Sequence, residues 1–321
     1  MLVVIPDDIN GAYSAFDGLA ELEALSEVVI HRTRARDEAE LAERVKPATA
    51  ILSFRPAFTR FPAAVIQAAS ALKLICISGT GVEDVDLAEA TRRRIAVANV
   101  VGSANRAVAE LCVALMFAVA RGVPVQDRAV RSGQWTSSPG LELGGKTLGI
   151  VGLSGIGTEL IAMTRGLAMR IVSWSRNNDP ERARKAGATA LPLEEVLENA
   201  DVLSLHLRQS VETRNFLDAA RIARMKRGAI LINTARGGLV DEAALVEALR
   251  SGKLHGAGLD VFAVEPLPPT SALARLDNVV LTPVSGWNTR DASRRMIAGS
   301  VDNVVAFFKG RPQNIVNGGA L

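Results

Sequence analysis

Residues 146–160 read KTLGIVGLSGIGTEL. The apolar run 147–151 leads straight into Gly152-Leu-Ser-Gly-Ile-Gly157, and a helical pattern follows. A strand, a tight glycine turn and a helix open a dinucleotide-binding βαβ unit, in which backbone N–H groups and the positive end of the helix dipole meet a pyrophosphate. The usual spacing is G-x-G-x-x-G. Here it gives Gly152, Ser154 and Gly157, with Gly155 and Ile156 between them. Serine adds a Cβ where the backbone must approach the phosphates, and Gly155 beside it relieves the crowding. A plain strand-to-helix connection would look similar, so the next position matters.

About 20 residues on, an acid would bind the adenosine ribose and repel a 2′-phosphate. The sequence there is IVSWSRNN, with Ser175 and Arg176 at the strand end. A hydroxyl and a guanidinium fork suit a 2′-phosphate, which tilts the expected cofactor from NAD toward NADP. A solvated surface arginine is the plainer alternative.

Outward from this unit, short apolar runs alternate with helix-period segments. The runs lie at 2–5, 28–30, 50–52, 72–77 and 95–97, and again at 147–151, 170–174, 201–205, 229–233, 256–261 and 279–281. Runs of this length between helical stretches read as buried parallel strands. Two series predict two doubly wound α/β domains, and 321 residues suit that number. The apolar run 109–120 must bury against its own domain or another subunit. Hydrophobic residues are 48% and charged residues 22%, which argues against disorder. A net charge of +3 without a dense basic cluster excludes nucleic acid as the default partner. No secretory signal and no run of about 20 apolar residues is seen, so the expectation is a cytoplasmic protein with no membrane partner. Cys76 and Cys112 lie in apolar runs and read as buried thiols; no metal site is expected.

The second half carries three polar segments. INTARGGLVDE places Arg236 at a strand end, where it could clamp a carboxylate or polarise a carbonyl. LDVFAVEP places Asp260 and Glu265 around another strand end, and LTPVSGWNT follows the last strand. Together with SGTGVEDVDL, VANVVGSANRAVAE and DVLSLHL, their order resembles the D-isomer-specific 2-hydroxyacid dehydrogenase family over nearly the whole chain. The resemblance implies a Rossmann cofactor domain, 100–285, inserted into a flavodoxin-like substrate domain, 1–99 plus 286–321. It also implies a homodimer formed through 100–146 and hydride transfer between a nicotinamide cofactor and a small 2-oxo or 2-hydroxy acid. Arg236 matches the arginine that holds the substrate, and Glu265 the acid that partners the catalytic histidine. Asp260 matches the residue that orients the carboxamide, and Thr234, Ala235 and His206 match cofactor-side positions. Gly79, Thr80 and Gly81 match the loop whose N–H groups receive the substrate carboxylate. Arg55, after the third strand, is a further candidate for a polar substrate tail.

The chain departs from that pattern where the chemistry is concentrated. The family's T-P-H is Thr282-Pro283-Val284 here, and valine cannot transfer a proton. General acid catalysis is worth roughly 10²–10⁴ in rate. Glu265 in an apolar site with a raised pKa, acting through water, is the expected substitute, with Ser285 or Asn288 as alternative water holders. The competing expectation is a dinucleotide-binding protein with little turnover. Arg208 stands where the family has proline and adds positive charge on the cofactor side.

Overall fold

The computed structural model describes residues 1–54, 57 and 59–318. They fall into two compact units, one within 1–104 and 289–318 and the other over 105–288.

In the first unit, five parallel strands are ordered β2-β1-β3-β4-β5. They are β1 (Leu2–Ile5), β2 (Glu27–Ile30), β3 (Ala50–Phe54), β4 (Leu74–Ser78) and β5 (Ala96–Asn99). This is the flavodoxin-like order. Every residue of β3, β4 and β5 is buried, which explains why they read as continuous apolar runs without alternation. The helix Arg290–Phe308 packs on β4, and the tail returns along the outer edge of β5. There Asn317 Oδ1 accepts the Val97 N–H (2.7 Å), and its amide donates to Ile95 O (2.9 Å) and Thr91 Oγ1 (3.1 Å).

In the second unit, seven parallel strands are ordered β12-β11-β10-β9-β6-β7-β8. They are β6 (Thr147–Val151), β7 (Arg170–Trp174), β8 (Thr189–Ala190), β9 (Val202–Leu205), β10 (Ala229–Asn233), β11 (Leu254–Leu259) and β12 (Val279–Leu281). The order reverses between β6 and β9, the place where doubly wound sheets collect ligands. The helix Asn105–Arg121 packs on β10, β11 and the helix Gly155–Thr164, burying Ala109, Cys112, Leu115, Met116, Val119 and Ala120. The buried face of the run 109–120 is therefore covered within its own unit, while Phe117 stays exposed. The helix Val123–Arg131 buries no residue. Among the described residues, no single helix is long and apolar enough to cross a membrane.

Candidate active site

Gly152 follows β6 with φ +94°, and a Cβ there would lie 2.9 Å from the carbonyl of His206. Only glycine lets the turn after β6 and the loop after β9 touch in this way. Ser154 caps the helix Gly155–Thr164, its Oγ accepting the Gly157 N–H at 3.3 Å. The serine that replaces the middle glycine thus supplies an N-cap. Gly155 and Ile156 lie in the first turn, where N–H groups have no intrahelical acceptor and suit an anion. Arg182, one turn into the helix Pro180–Ala186, donates to the carbonyl of Leu153 at 2.7 Å and ties the turn down.

His206 is buried beside this turn, with Nε2 and Ser204 Oγ 3.0 Å apart. Its Nδ1 is buried with no partner among the described residues. Burial pushes the imidazole down to about 4, so it is neutral at pH 7. Cys112 Sγ and Thr234 Oγ1 are 3.2 Å apart, and burial pushes that thiol up to about 11. A glycine cradle, an open helix start and an orphaned imidazole nitrogen at the switch point fit the diphosphate of a dinucleotide.

On the adenosine side, Asn178 N–H donates to Ser175 O (2.8 Å), closing a turn that leaves Arg176 exposed. The Glu212 carboxyl is held below its ordinary value, first by the Ser210 hydroxyl (2.6 Å) and more weakly by the nearby charge of Arg176. Sequence reading missed Glu212, because only the fold brings the loop after β9 near the end of β7. Arg208 is exposed in that loop.

Arg236 and Glu265 line one cavity of about 450 Å³, with Gln209, Arg214, Asp241 and Glu242 also on its wall. A Cβ on Gly237 would strike the backbone of Phe262, so this glycine lets the two loops meet. Glu265 is exposed, and its Oε1 accepts the Phe262 N–H at 2.9 Å. The expected apolar enclosure is not found: the carboxylate is exposed on the wall of a cavity that Arg214, Arg236, Asp241 and Glu242 also line. Asp260 is buried and organises the loop after β12. Its Oδ1 accepts from Thr282 Oγ1 (2.6 Å), Ser285 N–H (2.7 Å) and Ser285 Oγ (3.3 Å), and its Oδ2 from Gly286 N–H (2.9 Å). Ser285 is thereby occupied as a donor. Val284 sits in this loop with φ +54°, an uncommon conformation for a β-branched residue. His255 lies inside β11, where the sequence placed it just before a strand.

Residues 79–81 belong to the other unit. Gly79 has φ +154° and accepts the Val100 N–H, while Asn99 Nδ2 donates to Thr80 O (2.6 Å). Thr80 is exposed and Gly81 half-buried. Tyr13, wholly buried, hydrogen-bonds Ser78 and Ser300 and pins the strand end before this loop to the helix Arg290–Phe308. Arg55 lies outside the described residues.

Residues 113–286 match the family model described as D-isomer specific 2-hydroxyacid dehydrogenase, NAD binding domain. The chain is 37% identical over 308 residues to a glyoxylate reductase of Korarchaeum cryptofilum, covering 94% of this chain and 92% of that one. It is 39% identical over 262 residues to a D-3-phosphoglycerate dehydrogenase of Archaeoglobus fulgidus, covering 81% of this chain but only 50% of that relative's length. A crystal structure of a Thermus thermophilus protein superposes with a TM-score of 0.86 at 40% identity, over 98% of this chain and 100% of that one.

Proposed function

Since this chain belongs to the D-isomer-specific 2-hydroxyacid dehydrogenase family, we propose that it transfers a hydride between a nicotinamide dinucleotide and a small 2-oxo or 2-hydroxy acid. The observation that carries the reading is the cradle of Gly152, Ser154 and the buried Nδ1 of His206 in the same unit as the Arg236 cavity. The unit 105–288 holds the dinucleotide, and the N–H groups of residues 79–81 bind a substrate carboxylate.

A bound nicotinamide supplies the hydride. The N–H groups of Gly155 and Ile156 and the neutral His206 hold the diphosphate end, with Gly157 bound to the Ser154 cap and Thr234, Ala235 and Asp260 at the nicotinamide end. Arg236 binds the substrate carboxylate and polarises the carbonyl beside it. Glu265 accepts hydrogen bonds and positions water. Ser175 and Arg176 favour NADPH, and Glu212 limits that preference by setting a like charge near a 2′-phosphate. Relatives are named for glyoxylate and 3-phosphoglycerate, so glyoxylate is the first acid to offer. The protein acts as a homodimer through residues 100–146.

The test is a fluorescence titration of the full chain and of Ser154→Gly with NADH and NADPH. Both proteins bind one of them, and the variant binds more tightly because the backbone can approach the phosphates. Its stability falls by only a few tenths of a kcal/mol, since glycine is a tolerable N-cap. Failure of well-folded protein to bind either nucleotide overturns the reading. Val284 favours one second reading, a dinucleotide-binding protein with little turnover. In that case titration succeeds and no 2-oxo acid oxidises the cofactor.

A further inference from the structure

We infer that this site reduces the C=N bond of a 2-imino acid, formed from a 2-oxo acid and ammonia or a small primary amine, in preference to the C=O bond of the 2-oxo acid itself. The inference rests on the hydride-transfer reading and names its substrate class.

The first support is the proton. Hydride addition to a carbonyl carbon moves an electron pair onto oxygen, which must gain a proton. An iminium carbon accepts the same hydride, and the electron pair returns to a nitrogen that already holds its protons. Balanced, a 2-oxo acid and an ammonium ion give the iminium and one water; hydride then gives the amino acid as a free amine, which takes a proton from solvent after the step. No general acid is needed within the step.

Among the described residues, none stands where one is required. Position 284 is valine, in a loop that Asp260 holds through Thr282, Ser285 and Gly286. His206 is buried against Ser204. His255 lies at the start of β11, the sheet end away from the ligand side, and His31 follows the outermost strand β2 in the other unit. Cys112 is a buried thiol bonded to Thr234.

The second support is charge. A 2-oxo acid carries one negative charge. An iminium carboxylate carries one of each sign and needs an anion opposite its nitrogen. The cavity wall holds Arg236 and Arg214 against Asp241, Glu242 and Glu265, an excess of carboxylate that suits a substrate with a cationic end. Glu265 uses Oε1 to accept the Phe262 N–H, and its Oε2 has no partner among the described residues. In this exposed site the carboxylate is placed to accept an iminium N–H while Arg236 takes the carboxylate of the same molecule.

The experiment uses the full chain and whichever reduced nicotinamide it binds, with pyruvate alone, with pyruvate plus methylamine, and with pyruvate plus an equal concentration of sodium chloride. Cofactor oxidation is followed, and products are identified by mass spectrometry. Methylamine is expected to raise the rate about 10²-fold or more, the scale of a missing general acid, with N-methylalanine as product. Equal rates with and without amine, with lactate as product, overturn the inference and leave the hydride-transfer reading standing. Cofactor binding with no oxidation under any condition also overturns it, and absence of cofactor binding overturns both. Val284→His adds a second readout. Lactate formation should rise about 10²-fold while N-methylalanine formation falls or rises far less, because the new imidazole competes for Glu265; an equal rise in both overturns the inference.

Discussion

His206 shows how much one side chain can hold in this unit. Its native imidazole is pushed down to about 4 by burial, against an ordinary value of 6.5. Between these values the unfolded chain binds the proton and the native state does not. Stability from this residue is therefore complete above pH 6.5, falls as pH drops, and is lost by about pH 4. The loss is about 3 kcal/mol at 1.36 kcal/mol per pKa unit. Urea unfolding of wild type and His206→Gln at pH 7 and pH 4 checks this: the gap between the two proteins should narrow by that amount at the lower pH. A gap independent of pH sinks it. At this scale the sequence is informative about identity and silent about environment. Ser154, Arg236 and Val284 are visible as departures from or matches to a pattern. That Ser154 caps a helix, that Asp260 ties a loop together and that Val284 adopts a positive φ depend on side-chain direction and through-space contact, which no spacing encodes.

Among the elements, the strand edges carry the most telling contrast. The runs at 2–5, 147–151, 170–174, 229–233 and 279–281 coincide with β1, β6, β7, β10 and β12, because buried parallel strands need apolar residues on both faces. β11 starts two residues earlier than the expected 256, since Leu254-His255 carries no apolar run. β8 is two residues long on the sheet margin, too short to leave a signal. The margin at β5 is legible in neither composition nor period, because a polar tail covers it. The Val97 N–H has Asn317 Oδ1 as its acceptor, so Asn317→Ala leaves a strand donor unpaired. The expected cost is about 1–3 kcal/mol, read from the urea midpoint. Asn317→Asp keeps the acceptor and should lose less. Equal stability of both variants with wild type refutes the assigned role.

For the whole molecule, the two-domain plan follows from two series of apolar runs, and the chain's partners depend on surfaces that such runs do not describe. The apolar run 109–120 turned inward, but the neighbouring helix Val123–Arg131 exposes Val123 and Val130, and Trp135 is 92% exposed. Val123 and Val130 are seven residues apart on that helix and so share a face, and exposed apolar side chains of this kind suit an interaction surface. The proposed homodimer should appear in sedimentation velocity, and a charge at Val130 or Trp135 should shift it to monomer with cofactor binding retained. A monomeric wild type at micromolar concentration refutes it.

The first unit is made from two separate stretches of the chain, within 1–104 and 289–318, with the second unit inserted between them. That arrangement has a consequence for birth on the ribosome. β5 is synthesised roughly 220 residues before the tail that covers it, an interval of about 10–40 s at 5–20 residues per second. Throughout that interval the inserted unit emerges complete and folds, while the first sheet waits with β4 lacking its helix and β5 its latch. The nascent protein thus passes through a stage with one finished half and one open strand edge, a surface prone to pairing with another chain.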